Sequence, residues 1–208
     1  MKTNGNTYTV IYTTLVCVLV AAILAVVSQA LKPRQQANEK AETVRQILVA
    51  AGYGDMEGWR KVDNTAVLVF FNDNIVGNPQ ICTTSQLKAQ NYNIRDGKPL
   101  SLPQYKFKNK ITVLALYGAG LWGPVWGYIG LEEDLATVAG AYFDHESETP
   151  GLGGKIKDDP SFRESFKGKT IKKDGQIDFD AISGATMTSR GLESAIKNWM
   201  AAYMRTEP

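Results

Sequence analysis

The chain has 208 residues, enough for one ordinary domain plus an appendage, and a formal net charge of +2. No Lys/Arg stripe dominates it, which argues against a nucleic-acid footprint. Two cysteines and a single histidine exclude a disulfide framework, a multi-cysteine metal site and a histidine-rich zinc or di-iron centre. Redox chemistry on such a chain needs an organic cofactor; neither a metal ligand set nor a catalytic residue is expected.

After a short tail (1–9), the 22 residues Val10–Leu31 carry no charged side chain. At about 1.5 Å per residue they reach roughly 33 Å, close to the hydrocarbon thickness of a bilayer. A cleavable signal peptide is the competing reading, with Ser28-Gln29-Ala30 as its small-residue cleavage site. The apolar run is longer than the usual ~7–15 residues, which favours an uncleaved single transmembrane helix over 10–31. Lys2 precedes the span, whereas Lys32, Arg34, Lys40 and Arg45 follow it. Read literally, the positive-inside rule places the large domain in the cytoplasm, although long domains translocate largely regardless of flanking charge. Cys17 reads as a small apolar filler.

From Pro33 the pattern turns helical, giving a connecting helix within 32–54. Val44, Ile47, Leu48 and Ala51 recur at i, i+3, i+4 and i+7, and Gly52 is placed to stop the helix. Thr65–Phe71, short and rich in β-branched and aromatic residues, predicts a strand, with Asn72-Asp73-Asn74 as its turn. Gly77–Leu102 is polar with scattered Pro and Gly and predicts no element; Cys82 there is a lone thiol. Lys106, Lys108 and Lys110 alternate as the solvent face of a strand entering Ile111–Tyr117. Val125–Leu131 and Thr137–Phe143 are further strands, with Glu132-Glu133-Asp134 a solvated turn. Ser161–Phe166 reads as a short helix, and Gly168–Ile171 with Ile177–Phe179 as a hairpin around Asp174-Gly175. Leu192, Ala195, Ile196, Trp199, Ala202 and Tyr203 form one face of a C-terminal helix.

Three connections carry candidate chemistry. The run Tyr117-Gly-Ala-Gly-Leu-Trp-Gly123 lets backbone and a flat ring approach closely, with Trp122 flanking the ring; the plainer reading is a Gly-rich strand connection with a core tryptophan. In His145-Glu-Ser-Glu-Thr-Pro-Gly-Leu-Gly153, Pro150 and Gly151 make a tight turn, Glu148 and Thr149 offer hydrogen bonds to a polar ligand edge, and Leu152 offers an apolar face. Against that stand an exposed loop carboxylate for Glu148 and a surface role for His145. In Asp180-Ala-Ile-Ser-Gly-Ala-Thr-Met-Thr-Ser-Arg190, Gly184 and Ala185 remove bulk, while Ser183, Thr186, Thr188 and Ser189 place hydroxyls where a helix begins. Free N–H groups and the dipole favour an anion there, although capping alone accounts for such residues in most proteins.

Asp180-x-x-Ser183-Gly184-Ala185-Thr186 resembles the flavinylation motif of the FMN-binding domain family. In that family the threonine is esterified to the FMN phosphate by a separate flavin transferase. The resemblance implies covalent FMN on Thr186, with Asp180, Ser183, Gly184 and Ala185 as recognition and approach positions. Trp122, Glu148, Thr149, Gly151 and Leu152, in Gly-rich connections that follow strands, are expected to line that flavin. Taken in order behind one N-terminal span, the three motifs are similar to those of the C subunits of the Na⁺-translocating NADH:quinone oxidoreductases. The G subunit of the Rnf electron-transport complex is the nearest alternative, and a membrane-anchored binding protein with no redox role is a further one. The resemblance implies an α+β fold over 55–208, a mixed or antiparallel sheet with packed helices, on the periplasmic face of a bacterial inner membrane. It implies single-electron transfer through FMN between membrane and flavin subunits of a respiratory complex that exports Na⁺. No G-x-G-x-x-G follows a strand, so NADH is expected to bind elsewhere in that complex.

Overall fold

Among the described residues, five antiparallel strands in the order β1-β2-β3-β4-β5 form one sheet, each paired with the next. They are β1 (Gln80–Thr83), β2 (Ser101–Lys106), β3 (Thr112–Ala119), β4 (Pro124–Leu131) and β5 (Val138–His145). The computed structural model describes residues 5–83 and 101–203, less the side chains of Thr83, Ser101, Ala201 and Ala202. Residues 84–100 of the polar stretch, Lys2 and the apolar role expected of Ala202 therefore lie outside the described residues. The fold is α+β and the sheet is antiparallel throughout.

Helix α1 runs from Asn6 to Ala50 with Pro33 inside it. It carries an 18-residue window of mean hydropathy 2.8 that is not buried, long and apolar enough to cross a membrane. Two compact units are present, Met1–Glu42 and Thr43–Pro208. In the second unit the last turns of α1 bury Val44, Ile47, Leu48 and Ala51, the predicted face. Gly52 (φ +77) ends the helix: Tyr53 N–H bonds the Leu48 carbonyl at 3.0 Å and Gly52 N–H that of Val49 at 3.0 Å, a Schellman pair.

The sheet is covered on both faces, so its strands read as near-continuous apolar runs. Val113 joins a layer with Val44, Ile47, Val67 and Phe71, whereas Leu114 and Leu116 face Leu192, Ile196 and Trp199 in the other. The helical turn ending at Ala50 presses so close that a Cβ on Gly130 would collide with the Ala50 carbonyl oxygen. Opposite it, helix α6 (Thr186–Tyr203) packs along β3. Trp199 Nε1 donates to the Tyr117 carbonyl (2.8 Å) and the Tyr203 hydroxyl to that of Ala115 (3.1 Å).

Several expected elements are corrected. Thr65–Phe71 is not a strand but part of helix α3 (Asn64–Asn74), which follows the short helix α2 (Met56–Arg60). Val67 and Phe71, four apart, are its buried positions, and the Asp63 carboxylate caps it by accepting the Thr65 N–H (2.8 Å). That bond leads the contacts that hold the Asp63 pKa below the usual carboxylate range. The Gly168–Ile171/Ile177–Phe179 hairpin does not form a ladder. Lys172 and Gln176 close a turn (2.8 Å), but the Lys169 carbonyl and Ile171 N–H bond Val138 and Ala136 at the start of β5. Cys82 and its neighbours form β1, and Cys82 is buried. Lys106 ends β2, whereas Lys108 and Lys110 lie in the β2–β3 turn, where Lys110 has φ 68. Two short helices, α4 (Lys155–Asp158) and α5 (Pro160–Glu164), cover β5.

Burial pushes the Tyr203 phenol well above its ordinary value. The folded state therefore holds that proton more tightly than the unfolded chain, so the contribution is complete below pH ~10 and is lost as pH rises above it. Denaturant titrations should show stability falling above pH ~10, and Tyr203→Phe should lessen the slope by up to about 1.4 kcal/mol per pH unit.

Candidate functional site

Because β3 and β5 run in the same direction, the β3–β4 connection and the loop after β5 emerge at one end of the sheet. Gly120 and Gly123 close the first connection through a 2.8 Å backbone bond, and Glu146 N–H bonds the Pro124 carbonyl (3.1 Å). Trp122 is 62% exposed and Leu121 51%; Trp122 is thus not the core tryptophan of the plainer reading. Thr149 starts the turn of the second loop, its carbonyl accepting Leu152 N–H (3.1 Å) and Gly154 N–H (3.0 Å), with Gly151 at φ 76. Leu152 is exposed, and a Cβ on Gly184 would lie 3.0 Å from its Cδ2.

The Asp180–Arg190 segment meets these loops. Ile182 N–H and the Ala185 carbonyl are both taken by the buried Ser189 hydroxyl, each at 3.0 Å, closing the turn through Gly184 (φ 78). Ser189 N–H makes the first i→i−4 bond, to Ala185 (3.0 Å). Ala185 therefore occupies the cap position and Thr186, Met187 and Thr188 the first three helical positions, whose N–H groups have no intrahelical acceptor. Alanine has no side-chain acceptor, so the residue at the cap position does not cap α6 itself. Asp180, Ser183, Thr186 and Met187 are exposed; Thr188 and Ser189 are buried.

Glu148 joins all three segments. It is 4% exposed; Oε1 accepts the Trp122 N–H at 2.8 Å and Oε2 the Thr188 hydroxyl at 2.6 Å. Ser147 Oγ adds a bond to the Trp122 carbonyl (3.1 Å). His145 is half-buried and not a mere surface histidine: its Nδ1 accepts the Glu148 N–H (3.1 Å). One residue earlier, the buried Asp144 accepts His145 N–H (2.8 Å) and Gln46 Nε2 (2.9 Å) and pairs with Lys157 Nζ (2.9 Å). Sequence reasoning picked out Glu148 and Thr188 as separate motif members but missed that they bond each other. Nothing in the sequence pattern pointed to Asp144 or Gln46.

Residues 120–201 match the family model of the FMN-binding domain. The C subunit of the Na⁺-translocating NADH-quinone reductase of Pseudomonas aeruginosa is 27% identical over 245 aligned positions, covering 95% of this chain and 92% of the relative. Its Haemophilus ducreyi counterpart is 37% identical over 103 positions, 42% of this chain and 40% of its own length. A crystal structure of the C subunit from Parabacteroides distasonis superposes with a TM-score of 0.64 at 27% identity, covering 86% of this chain and 98% of that one. At 19% identity, Shewanella oneidensis NqrC shares the fold (TM-score 0.61; 82% and 100% covered). The chain thus carries a segment that matches the FMN-binding domain, residues 120–201, after a helix of membrane-spanning length. Along nearly its whole length it is similar to the C subunits of Na⁺-translocating NADH-quinone reductases.

The hydroxyl assignments make a direct contrast. Ser189→Ala leaves the buried Ile182 N–H unpaired and should cost about 1–3 kcal/mol in denaturant unfolding. Thr186→Val, at an exposed position that caps nothing, should stay within ~0.5 kcal/mol of wild type.

Proposed function

We propose that this chain is the membrane-anchored electron-carrier subunit of a Na⁺-translocating NADH:quinone oxidoreductase and holds FMN as a phosphoester of Thr186. The observation that carries the reading is an exposed Thr186 at the start of α6, whose first turn is tied through Glu148 to the connection bearing the exposed Trp122, with Leu152 against Gly184. The residues fit the group. Trp122 and Leu152 offer apolar faces to a flat ring, and the first N–H groups of α6 suit its phosphate. Gly184, with no side chain, leaves Leu152 in place and the backbone open. Thr149 and Gly151 line the ring from the turn, and Asp180, Ser183 and Ala185 shape the approach to Thr186.

Attachment would join the Thr186 oxygen to the FMN phosphorus of a flavin dinucleotide: the threonine proton would pass to a base of a flavin transferase, the pyrophosphate bond would break and adenylate would leave. FMN supplies one-electron chemistry, and the ester keeps it in place through repeated charge changes. This chain contributes position and electrostatics, while NADH and quinone react on other subunits. The relatives are named as the C subunit of the Na⁺-translocating reductase, which favours this reading over the G subunit of Rnf. A non-redox protein whose motif only caps a helix is disfavoured because Ala185 occupies the cap.

Co-expressed with a flavin transferase, the chain should gain the mass of one FMN on the peptide containing Thr186, and Thr186→Val should fold without it. A label on Thr188 or Ser189 would overturn the assignment.

We infer that the carrier domain lies on the periplasmic side of a bacterial inner membrane, against the flanking charges. The positive-inside bias acts on short loops, and a domain of this size translocates despite Lys32, Arg34, Lys40 and Arg45. C-terminal fusions to side-specific reporters should be active only outside the cytoplasm; cytoplasmic activity would reverse the orientation.

A further inference from the structure

We propose that Glu148 is the positioning residue of this site. Its carboxylate acts through Thr188 to hold the first turn of α6 in register with the Trp122 connection, so that the Thr186 hydroxyl is presented for attachment. The inference rests on the reading of Thr186 as the attachment residue.

Both carboxylate oxygens of Glu148 are bound by the protein itself, to Trp122 N–H and to the Thr188 hydroxyl. The surrounding glycines are shaped to it. A Cβ on Gly120 would lie 2.5 Å from Oε1, and one on Gly153 would collide with Oε2 and lie 2.7 Å from Thr188 Oγ1. At these two positions the absent side chain makes room for a protein carboxylate rather than for a ring. Thr188 is the third helical residue, whose side chain in a capping box would reach back to the cap. Here it reaches across to another loop, and Ala185 offers it nothing in return. The first turn of α6 is therefore held by a tertiary bond placed two residues beyond Thr186. The backbone of Glu148 is fixed in turn by His145 Nδ1, and His145 by Asp144, which Lys157 and Gln46 hold in place.

The tie and the charge are separable. In Glu148→Gln the amide oxygen still accepts Trp122 N–H and the amide NH₂ donates to Thr188 Oγ, so the frame survives without the charge. Thr188→Val keeps the shape but cuts the frame, Thr188→Ser restores the hydroxyl, and Glu148→Ala removes both bonds. The full-length chain is co-expressed with a flavin transferase. Intact mass then gives the rate of attachment, peptide mapping its position, and circular dichroism the folded fraction. Expected are near-wild-type rates for Thr188→Ser and Glu148→Gln, with Thr188→Val folded yet attaching roughly ten- to hundredfold more slowly. A merely structural bond would lower the melting temperature and leave attachment to the folded protein unchanged. Folded Thr188→Val that takes FMN on Thr186 at the wild-type rate overturns the proposal. So does Glu148→Gln that loses attachment as fully as Glu148→Ala, since the charge would then matter and not the tie. If Glu148→Ala does not fold, Thr188→Val decides alone, with Thr188→Ser as its rescue. A wild-type label on any other residue instead defeats the Thr186 reading itself.

Discussion

A single buried carboxylate bonded to two neutral donors holds together connections that lie far apart in the chain. Glu148 takes the Trp122 N–H on one oxygen and the Thr188 hydroxyl on the other. A carboxylate withdrawn from water is costly unless hydrogen-bonded, so both donors must be present and correctly aimed. The requirement spreads to neighbouring positions. Residues 120 and 153 have no room for a side chain, and residue 188 must carry a hydroxyl. With Thr188 and Ser189 both turned inward, Thr186 is left facing solvent at the start of α6.

The rest of the second unit makes that frame rigid. The sheet is covered on both faces, and α6 lies so close to β3 that a Cβ on Gly118 would be 2.7 Å from the Ala195 Cβ. Gly191 approaches β3 as closely, and a Cβ there would collide with the Ala119 carbonyl oxygen. A helix seated that closely has little freedom to slide, so its first residue is a fixed point relative to the β3–β4 connection. A carrier benefits from such a mount, because a site on packed elements keeps its geometry better than one on a free loop.

The sequence reveals much of this architecture, though unevenly. β3, β4 and β5 are legible because their β-branched and apolar runs are bounded by glycines and charged turns. The last turns of α1 are legible because Val44, Ile47, Leu48 and Ala51 keep the helical period up to Gly52. Helix α3 is not, since Thr-Ala-Val-Leu-Val-Phe-Phe has strand-like composition and only packing at Val67 and Phe71 decides the period; the Asp63 cap was the available signal. The supposed hairpin at Asp174-Gly175 fails because its turn is local whereas its partners lie at the start of β5. In the site, glycines and hydroxyls are visible as types, and Thr186 stands out by pattern. Which hydroxyl turns inward depends on a tertiary bond forty residues long in sequence, and no local spacing encodes it. For the same reason the part played by His145 emerges only from the fold.

A flavin carried as proposed on the exposed hydroxyl at the head of α6 is held by a bond that survives unfolding. Its most direct test is acid precipitation of the purified protein, followed by the absorbance of the redissolved pellet. The account predicts that flavin absorbance stays with the denatured chain in wild type and is lost from it in Thr186→Val. Flavin released quantitatively to the supernatant from wild type, or retained by Thr186→Val, would contradict it.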